Sequence, residues 1–258
     1  MDLGIKGRRA LVCASSRGLG RACAHSLAQA GVDVVINGRD ESALAATADA
    51  LKVHGVQVTP VLADVSTAEG QAALMAACPS VDILVNNNGG PPHRDFRELD
   101  RDAMLAGVTM NMVTPIEMIQ HYLDGMVQQE FGRIVNITSM SVRMPILGLD
   151  LSSGARAGLT AFLAGIARSV ADKNVTINHL APGAFDTDRL NGGFQFASDK
   201  TGESVESIAA ARAQTIPAKR FGDPAEFGDA CAFLCGARSG YITGQTLLID
   251  GGVYNSSF

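Results

Sequence analysis

A turn rich in small residues follows the first predicted strand and opens directly into a predicted helix. It reads CASSRGLG from Cys13 to Gly20. Glycine permits a tight turn and a close approach of the backbone to a ligand, and the N-terminus of a helix attracts phosphate oxygens. The residue types and their place between a strand and a helix therefore predict a binding site for the pyrophosphate of a nucleotide. Small residues are also ordinary turn chemistry, so the turn alone leaves a purely structural role open.

A second position that bears on nucleotide chemistry is the end of the second predicted strand, where Gly38 is followed by Arg39. Sites specific for NAD usually place an acidic side chain there, against the ribose 2′-hydroxyl. Glycine at this place, with guanidinium groups from Arg39 and from Arg17 in the turn, favours a 2′-phosphate. The sequence thus predicts NADP(H) rather than NAD(H). In the alternative interpretation, Arg39 is a solvated surface charge and Asp40 only caps the next helix.

The elements that must position these residues alternate between strand and helix along the whole chain. Short β-branched runs predict strands at Arg9–Cys13, Asp33–Asn37, Gln57–Leu62, Val81–Val85, Arg133–Thr138, Val175–Leu180 and Thr246–Ile249. Alanine-rich runs with helical spacing predict helices at Leu19–Ala30, Glu41–Val53, Ala68–Ala77, Arg101–Glu130, Ser153–Ala171 and Pro224–Cys235. Such alternation is typical of an α/β fold, with a parallel sheet and helices on both of its faces.

The composition of the 258-residue chain excludes several classes of protein. Hydrophobic residues make up 47%, which is too many for a disordered chain, and no apolar run approaches the roughly 18 residues of a membrane span. The formal net charge of −5 argues against nucleic acid as a partner, because phosphate binding needs a basic surface. Five cysteines without a CxxC pair, and no recognisable signal peptide, predict a reduced, cytoplasmic protein. Cys231 and Cys235 are interpreted as packed thiols, with no metal site.

Further segments follow the strands in a characteristic order. They are Leu62–Val65, Leu84–Gly89, Gly132–Ser139, Ala181–Gly183, Tyr241–Gln245 and Ile249–Gly252. With the turn, they resemble the β-ketoacyl-acyl-carrier-protein reductases of the short-chain dehydrogenase/reductase family over essentially the whole chain. The resemblance implies one domain over residues 1–258, a Rossmann-type, doubly wound parallel sheet of about seven strands. Ala14 replaces the first glycine of the family's turn, and we expect it to be tolerated if its φ is negative.

Carried over residue by residue, the resemblance implies a set of cofactor contacts spread over five loops. They are Ala14, Ser15, Ser16, Arg17, Gly18, Leu19, Gly20, Asn37, Gly38, Arg39, Asp64, Val65, Asn87, Asn88, Gly89, Arg156, Pro182, Gly183, Phe185 and Thr187.

The resemblance also implies a catalytic set of Asn, Ser, Tyr and Lys, of which two members are replaced in this chain. Asn111 and Ser139 occupy the places of the asparagine and the serine. The family's tyrosine stands thirteen residues after the serine and its lysine four residues further, and these positions hold Ser152 and Arg156. The segment from Arg156 to Leu159 resembles the family's K-A-G-L, which fixes this register.

These replacements change the proton chemistry that the resemblance implies. In the family the tyrosine exchanges a proton with the substrate oxygen, and the lysine lowers the pKa of the phenol. A serine hydroxyl is a weaker acid than phenol by roughly three pKa units, or about 4 kcal/mol if the alkoxide were required. Arg156 keeps the positive charge and can hold the cofactor ribose, but it does not release a proton. We therefore expect Asn111, Ser139, Ser152 and Arg156 to be catalytic, with an atypical proton donor.

Several other residues are candidates for the missing proton donor. None of the three tyrosines, Tyr122, Tyr241 and Tyr254, falls at the required place. His93 titrates in the useful range, although a solvated loop histidine is the simpler interpretation. Asp150 and Arg143 also lie close in sequence, and Asp150 is interpreted as a turn or helix-start residue. The remaining histidines are interpreted as structural; they are His25, His54, His121 and His179.

The polar stretch Asp186–Gly202 lacks periodicity and predicts an irregular loop, part of a substrate lid over about residues 186–216. Its phenylalanines favour a partly apolar ligand, whereas Arg189 and Lys200 are suited to a carboxylate or a phosphate. The resemblance implies a homotetramer or homodimer assembled through the helices predicted at Arg101–Glu130 and Ser153–Ala171.

Three functions remain open on the sequence alone. The first is an NADP(H)-dependent oxidoreductase acting on a small carbonyl or alcohol substrate. The second is a nucleotide-binding pseudoenzyme or sensor without dehydrogenase activity, which the loss of tyrosine and lysine would explain. The third is non-redox chemistry on the same scaffold, such as a lyase or isomerase step. A cofactor carrying deuterium separates the third from the first, because only hydride transfer from the cofactor labels the product.

Overall fold

A single parallel sheet of seven strands forms the centre of the protein. The structure, a computed structural model, describes residues 2–91 and 93–256. The strands are β1 Arg9–Val12, β2 Asp33–Gly38, β3 Val58–Leu62, β4 Ile83–Asn86, β5 Gly132–Ile137, β6 Val175–Pro182 and β7 Thr246–Ile249. Their order across the sheet is β3-β2-β1-β4-β5-β6-β7. The order reverses between β1 and β4, which is the place where a doubly wound sheet opens a crevice for a ligand. The predicted fold class is confirmed.

Helices cover both faces of this sheet. They are α1 Gly18–Gln29, α2 Glu41–Lys52, α3 Ala68–Ala77, α4 Arg101–Val108, α5 Thr114–Gln128, α6 Asp150–Ser169, α7 Asp188–Thr201, α8 Val205–Gln214 and α9 Pro224–Cys235. Several begin at side chains that cap free backbone N–H groups, as Asp40 does for α2 and Thr67 for α3. No helix within the described residues has the length and apolar character that crossing a membrane requires.

Alternate residues of the strands belong to two separate apolar cores, one on each side of the sheet. Ala10 and Val12 of β1 belong to the core that also contains residues of α1, α2 and α9. Leu11, between them, belongs to the core on the opposite face, with residues of α3, α5 and α6. Because both faces are covered, apolar side chains of β1 pack on both sides of the sheet rather than on one side only.

The prediction of one long helix at Arg101–Glu130 is wrong in one respect. Its middle, Thr109–Val113, is a π-helical turn that separates α4 from α5. Pro115, in the first turn of α5, is the sequence signal of this interruption, because proline inside a helical pattern marks a break. The π turn carries Asn111, and such turns are frequent at functional sites.

The irregular loop predicted at Asp186–Gly202 is also wrong, because most of this stretch forms α7. The helix buries Phe194, whose ring lies 5.5 Å from that of Phe221. This tertiary contact stabilises a helix that contains two adjacent glycines and little helical periodicity. The helix predicted to start at Ser153 begins instead at Asp150, as the interpretation of that aspartate as a helix-start residue anticipated.

Candidate active site

A cleft of about 820 Å³ opens at the carboxyl edge of the sheet. Its lining comes from the turn after β1, the ends of β2 and β3, and the segments after β4, β5 and β6. The helices α6, α7 and α8 complete it. It therefore lies at the reversal of strand order between β1 and β4, where the fold favours ligand binding.

The turn after β1 is held in a shape that leaves the first backbone N–H groups of α1 open to the cleft. Gly18 begins the helix with a φ of 57°, and no side chain caps the helix N-terminus. A side chain at Gly20 would place its Cβ only 2.5 Å from the carbonyl oxygen of Ala14, so only glycine fits there. Ala14 itself has a φ of 44°, which contradicts the expectation of a negative φ. The first position of the turn is therefore left-handed despite its alanine.

The end of β2 supports this turn and shapes the far end of the cleft. Asn37 accepts a hydrogen bond from the backbone N–H of Ala14 at 2.6 Å and donates one to the carbonyl of Ala63 at 2.9 Å. A Cβ at Gly38 would lie 2.5 Å from Oγ of Ser16. Since Ser16 fills that space, no acidic side chain fits at the position that NAD-specific sites use.

Two arginines flank that end of the cleft. Arg17 forms an ion pair with Asp40 at 2.6 Å, and Arg39 forms one with Asp64 at 3.3 Å. All four side chains are at least 30% exposed, so solvent screens each pair and it stabilises the fold only weakly. A more highly charged anion, such as a phosphate, can therefore compete for either arginine.

At the other end of the cleft, Asn111 links the π turn to the segment after β4. It is buried, and its side-chain amide donates to the carbonyl of Gly89 at 3.0 Å. The side chain of Asn88 donates to the carbonyl of Met110 at 3.2 Å. These two hydrogen bonds fix the end of β4 against the π turn.

Ser152 and Arg156 lie one helical turn apart on α6 and are joined directly. Nε of Arg156 donates to Oγ of Ser152 at 3.2 Å, and this hydroxyl lies 3.5 Å from Oδ1 of Asn111 as its donor. The serine is therefore an acceptor for the guanidinium and a donor to the amide. Ser152 is only 7% exposed, yet it lines the cleft.

The guanidinium of Arg156 is a buried cation that only neutral groups hold. Besides Ser152, it donates to the carbonyl of Ile137 at 2.6 Å and to that of Asn88 at 3.5 Å. No carboxylate of the described residues forms an ion pair with it. Burial, and to a lesser extent the positive charge of Arg189, lower the pKa of Arg156 to about 10, so it stays cationic at neutral pH.

Ser139 stands at the end of β5 with its hydroxyl in the cleft. Its Oγ accepts a hydrogen bond from the backbone N–H of Ser141 at 3.1 Å and caps a short 3₁₀ turn. This bond uses a lone pair of the oxygen and leaves the hydroxyl proton available to a ligand. Ser139 therefore has the geometry to donate a hydrogen bond to a substrate oxygen.

A second, small cavity of about 20 Å³ has Arg156 among its lining residues. Asn111 and Thr114 are among its lining residues, and Oγ1 of Thr114 has no hydrogen-bond partner within the described residues. The space and its polar lining suit one water molecule, which would satisfy that hydroxyl.

The other residues considered as proton donors do not line the cleft. His93, Arg143 and Asp150 are exposed and lie outside its lining. Tyr122 is buried in α5 and donates its hydroxyl proton to the carbonyl of Cys78, and Tyr241 is fully exposed. Tyr254, near the C-terminus, is likewise absent from the lining. No tyrosine of the described residues occupies the space beside Ser152.

Most of the residues expected at the cofactor and catalytic sites line the cleft, with three exceptions. Ser15 is completely buried and bonds to the carbonyl of Val12, and Gly20 lies inside α1. Asn111 lines the small cavity rather than the cleft. Sequence reasoning singled out neither Asp188 of α7 nor Arg212 of α8, because the irregular lid that it expected over about residues 186–216 gave no basis for placing individual side chains.

Comparison with known proteins gives matches that extend over nearly the whole chain. The sequence profile of a family described as enoyl-(acyl carrier protein) reductase matches residues 13–254. The 3-oxoacyl-(acyl-carrier-protein) reductase FabG of Vibrio harveyi is 32% identical over 253 residues, which cover 98% of this chain and 99% of that protein.

Matches to solved structures also extend over nearly the whole chain. The structure of L-sorbose reductase from Gluconobacter frateurii, complexed with NADPH and L-sorbose, is similar with a TM-score of 0.94 and 27% identity, and the match covers 99% of this chain and 100% of that chain. The NADPH-dependent reductase YwfH, involved in bacilysin biosynthesis, is similar with a TM-score of 0.90 and 29% identity over 96% of this chain and 99% of that chain.

Proposed function

The chain belongs to the short-chain dehydrogenase/reductase family, and from this premise we propose that it is an NADP(H)-dependent oxidoreductase acting on a carbonyl or alcohol substrate with an atypical proton donor. The cleft is the observation that carries the proposal. Ser139, Ser152 and Arg156 line the same cavity as the glycine turn and the end of β2. A dinucleotide bound along the carboxyl edge of the sheet thus reaches from the arginines at one end to the serines at the other.

The residues of the cleft fit NADP(H). Its volume of about 820 Å³ lies in the range of cofactor sites. The open N-terminus of α1 suits the pyrophosphate, and Arg17 and Arg39 suit a 2′-phosphate at a position where Ser16 leaves no room for an acid. When bound, the cofactor supplies or accepts the hydride. The relatives named as NADPH complexes or reductases favour the same assignment.

The polar groups at the other end supply the proton chemistry. The hydroxyl of Ser139 donates a hydrogen bond to the substrate oxygen, and the nearby charge of Arg156 stabilises negative charge as it develops there. Ser152 gives its proton to the substrate oxygen, because the Arg156 N–H that it already accepts stabilises the oxygen left behind. Solvent in the open cleft then restores the serine proton.

The arrangement of Ser152 also favours one alternative. Its hydroxyl is held between Arg156 and Asn111, a geometry that a purely structural serine would share. In a pseudoenzyme or sensor that binds NADP(H) without turnover, Ser152→Tyr combined with Arg156→Lys should create reductase activity that the unchanged chain lacks. Efficient reduction by the unchanged chain excludes this alternative.

Cofactor preference tests the proposal directly. We expect fluorescence titration to show NADPH binding at least about tenfold tighter than NADH, since a phosphate held by arginines gains charge-assisted hydrogen bonds. Arg39→Ala should weaken NADPH binding by about tenfold and leave NADH binding unchanged. Arg97→Ala, which removes an exposed arginine from another ion pair, is the matched control.

Turnover is followed by the loss of NADPH absorbance with a panel of aldehydes and ketones. Absence of binding of both NADPH and NADH would overturn the whole proposal. Binding without turnover across a broad panel would leave the pseudoenzyme alternative. The proposal places the protein in the cytoplasm, where the five cysteines, all buried and unpaired, remain reduced.

A further inference from the structure

The cleft carries an excess of positive charge, although the chain as a whole is acidic with a net charge of −5. Its lining contains five arginines: Arg17, Arg39, Arg156, Arg189 and Arg212. It contains two aspartates, Asp64 and Asp188. The imbalance is local, and it needs negative charge from whatever binds there.

This positive charge divides between the two ends of the cleft. Arg17 and Arg39 stand at the end where the proposed function puts the 2′-phosphate, and each already has an aspartate partner. Arg156, Arg189 and Arg212 have no ion-pair partner among the described residues. The uncompensated cations thus lie on the side of the cleft that α6, α7 and α8 form.

Arg189 reaches across the cleft from α7 to the segment after β4. Its guanidinium covers Gly90, where an added Cβ would lie 2.8 Å from Nη2 and 3.0 Å from Nη1. No ion pair or hydrogen bond of the described residues involves this guanidinium, so its donors are free. Gly90 follows Gly89, whose carbonyl Asn111 holds, and Arg189 therefore ends beside the residues proposed to be catalytic.

Arg156 and Arg189 repel one another across this space. The repulsion contributes to the lowered pKa of Arg156, after burial. An anion between them would remove the repulsion and use the free donors of Arg189 in charge-assisted hydrogen bonds. Apolar side chains complete the wall on this side, among them Ile146, Leu149 and Phe194.

We propose that Arg189 binds an anionic group of the substrate, so that the protein reduces a carbonyl compound that carries a carboxylate or a phosphate close to its reacting carbon. This inference rests on the proposed function, because it assigns the substrate class of the same site. The apolar wall accepts the carbon chain, Arg189 holds the anion, and Ser139 receives the carbonyl oxygen.

Matched pairs of substrates test the inference with the full chain and NADPH. The carboxylate arm compares acetoacetate and 4-oxopentanoate with their methyl esters, and the phosphate arm compares dihydroxyacetone phosphate with dihydroxyacetone. We expect kcat/KM for the charged member of at least one arm to exceed that of its neutral partner by roughly 10- to 100-fold. The arm that responds identifies the anion.

Arg189→Gln should remove this preference by lowering kcat/KM for the charged substrate alone, while Arg238→Gln, an exposed arginine outside the cleft, leaves it intact. The dissociation constant of NADPH should be the same in both variants and the unchanged chain. If Arg189→Gln instead weakens NADPH binding and lowers turnover of charged and neutral substrates equally, Arg189 binds the cofactor and the inference is wrong.

A binding measurement separates failure of this inference from failure of the proposed function. Calorimetry with the NADP⁺ complex and each charged probe should show binding that Arg189→Gln abolishes, whether or not turnover occurs. Reduction of the neutral ketones without any preference for, or binding of, the charged probes would overturn the inference and leave the proposed function standing. Failure to bind NADPH would instead overturn the proposed function.

Discussion

At the scale of single residues, Arg156 contributes a fixed positive charge to the site and no exchangeable proton. Its guanidinium donates to Ser152 and to the carbonyl oxygens of Ile137 and Asn88. Burial lowers its pKa only to about 10. Neither this arginine nor a serine hydroxyl titrates near neutral pH, whereas a phenol activated by lysine does.

The pH dependence of the reaction should show this difference. We expect kcat/KM for carbonyl reduction to be nearly constant between about pH 6 and pH 9, because no histidine among the described residues lines the cleft. Arg156 keeps its charge over this range, since burial lowers its pKa only to about 10. Steady-state kinetics at saturating NADPH measures this profile.

Ser139→Ala serves as the control, since it should lower kcat/KM by about tenfold to a thousandfold at every pH without changing the shape of the profile. A profile of the unchanged chain that rises or falls between about pH 6 and pH 9 would show a titrating proton donor and contradict the role given to Ser152.

For single residues, the sequence motifs predicted where a side chain lies along a helix or strand better than they predicted its hydrogen-bond partners. Ser152 and Arg156, four residues apart in sequence, lie on neighbouring turns of α6, because a helix converts sequence spacing directly into geometry. The hydrogen bond from Asn88 to Met110 was beyond prediction, since it joins two segments whose approach depends on tertiary packing. The same holds for Arg189 over Gly90.

At the scale of elements, the turn after β1 carries backbone strain. Ala14 has a φ of 44°, a left-handed conformation that costs an alanine roughly 1 to 2 kcal/mol relative to glycine. Its place is fixed from both sides, because Asn37 binds its N–H and Asn87 binds its carbonyl oxygen. The surrounding bonds therefore impose the conformation on the alanine.

Replacing this alanine should relieve the strain. We expect Ala14→Gly to raise the free energy of unfolding by about 1 kcal/mol, after part of the gain is lost to the greater freedom of glycine in the unfolded chain. Thermal denaturation without cofactor should show a rise of roughly 2 to 4 °C. Ala46→Gly, at an exposed helical position of α2, should lower stability by about 1 kcal/mol instead. A loss of stability in Ala14→Gly would show that the turn is unstrained.

The two elements that sequence reasoning missed share a physical cause. The π turn at Thr109–Val113 is held by tertiary contacts with the segment after β4, the hydrogen bonds from Asn111 to Gly89 and from Asn88 to Met110. The helix α7 forms because Phe194 packs against Phe221, a contact between residues that are distant in sequence. The edge strand β7, by contrast, was predicted to the residue, because its short apolar run is a local signal that needs no distant contact.

At the scale of the whole molecule, α6 presents an outer face that the rest of this chain does not cover. Gly154 and Gly165 have open space where a Cβ would stand, and Phe162, on the same side of the helix, is 48% exposed. On the adjoining α4, Leu105 is 54% exposed. Apolar side chains beside small residues allow a second helix to approach closely, which favours the homodimer or homotetramer predicted from the sequence.

Disruption of this face tests the predicted assembly. We expect the unchanged chain to form dimers or tetramers in light scattering coupled to size-exclusion chromatography, well above the 26.9 kDa of one chain. Phe162→Asp places a charge in the interface and should shift the protein to a smaller species, whereas its exposed position leaves the fold of one subunit intact. Phe196→Asp, at a residue of α7 that is 67% exposed and lies away from α6, is the matched control and should not change the mass. A monomeric mass for the unchanged chain, or an unchanged oligomer in Phe162→Asp, would mean that this face of α6 is not where subunits meet.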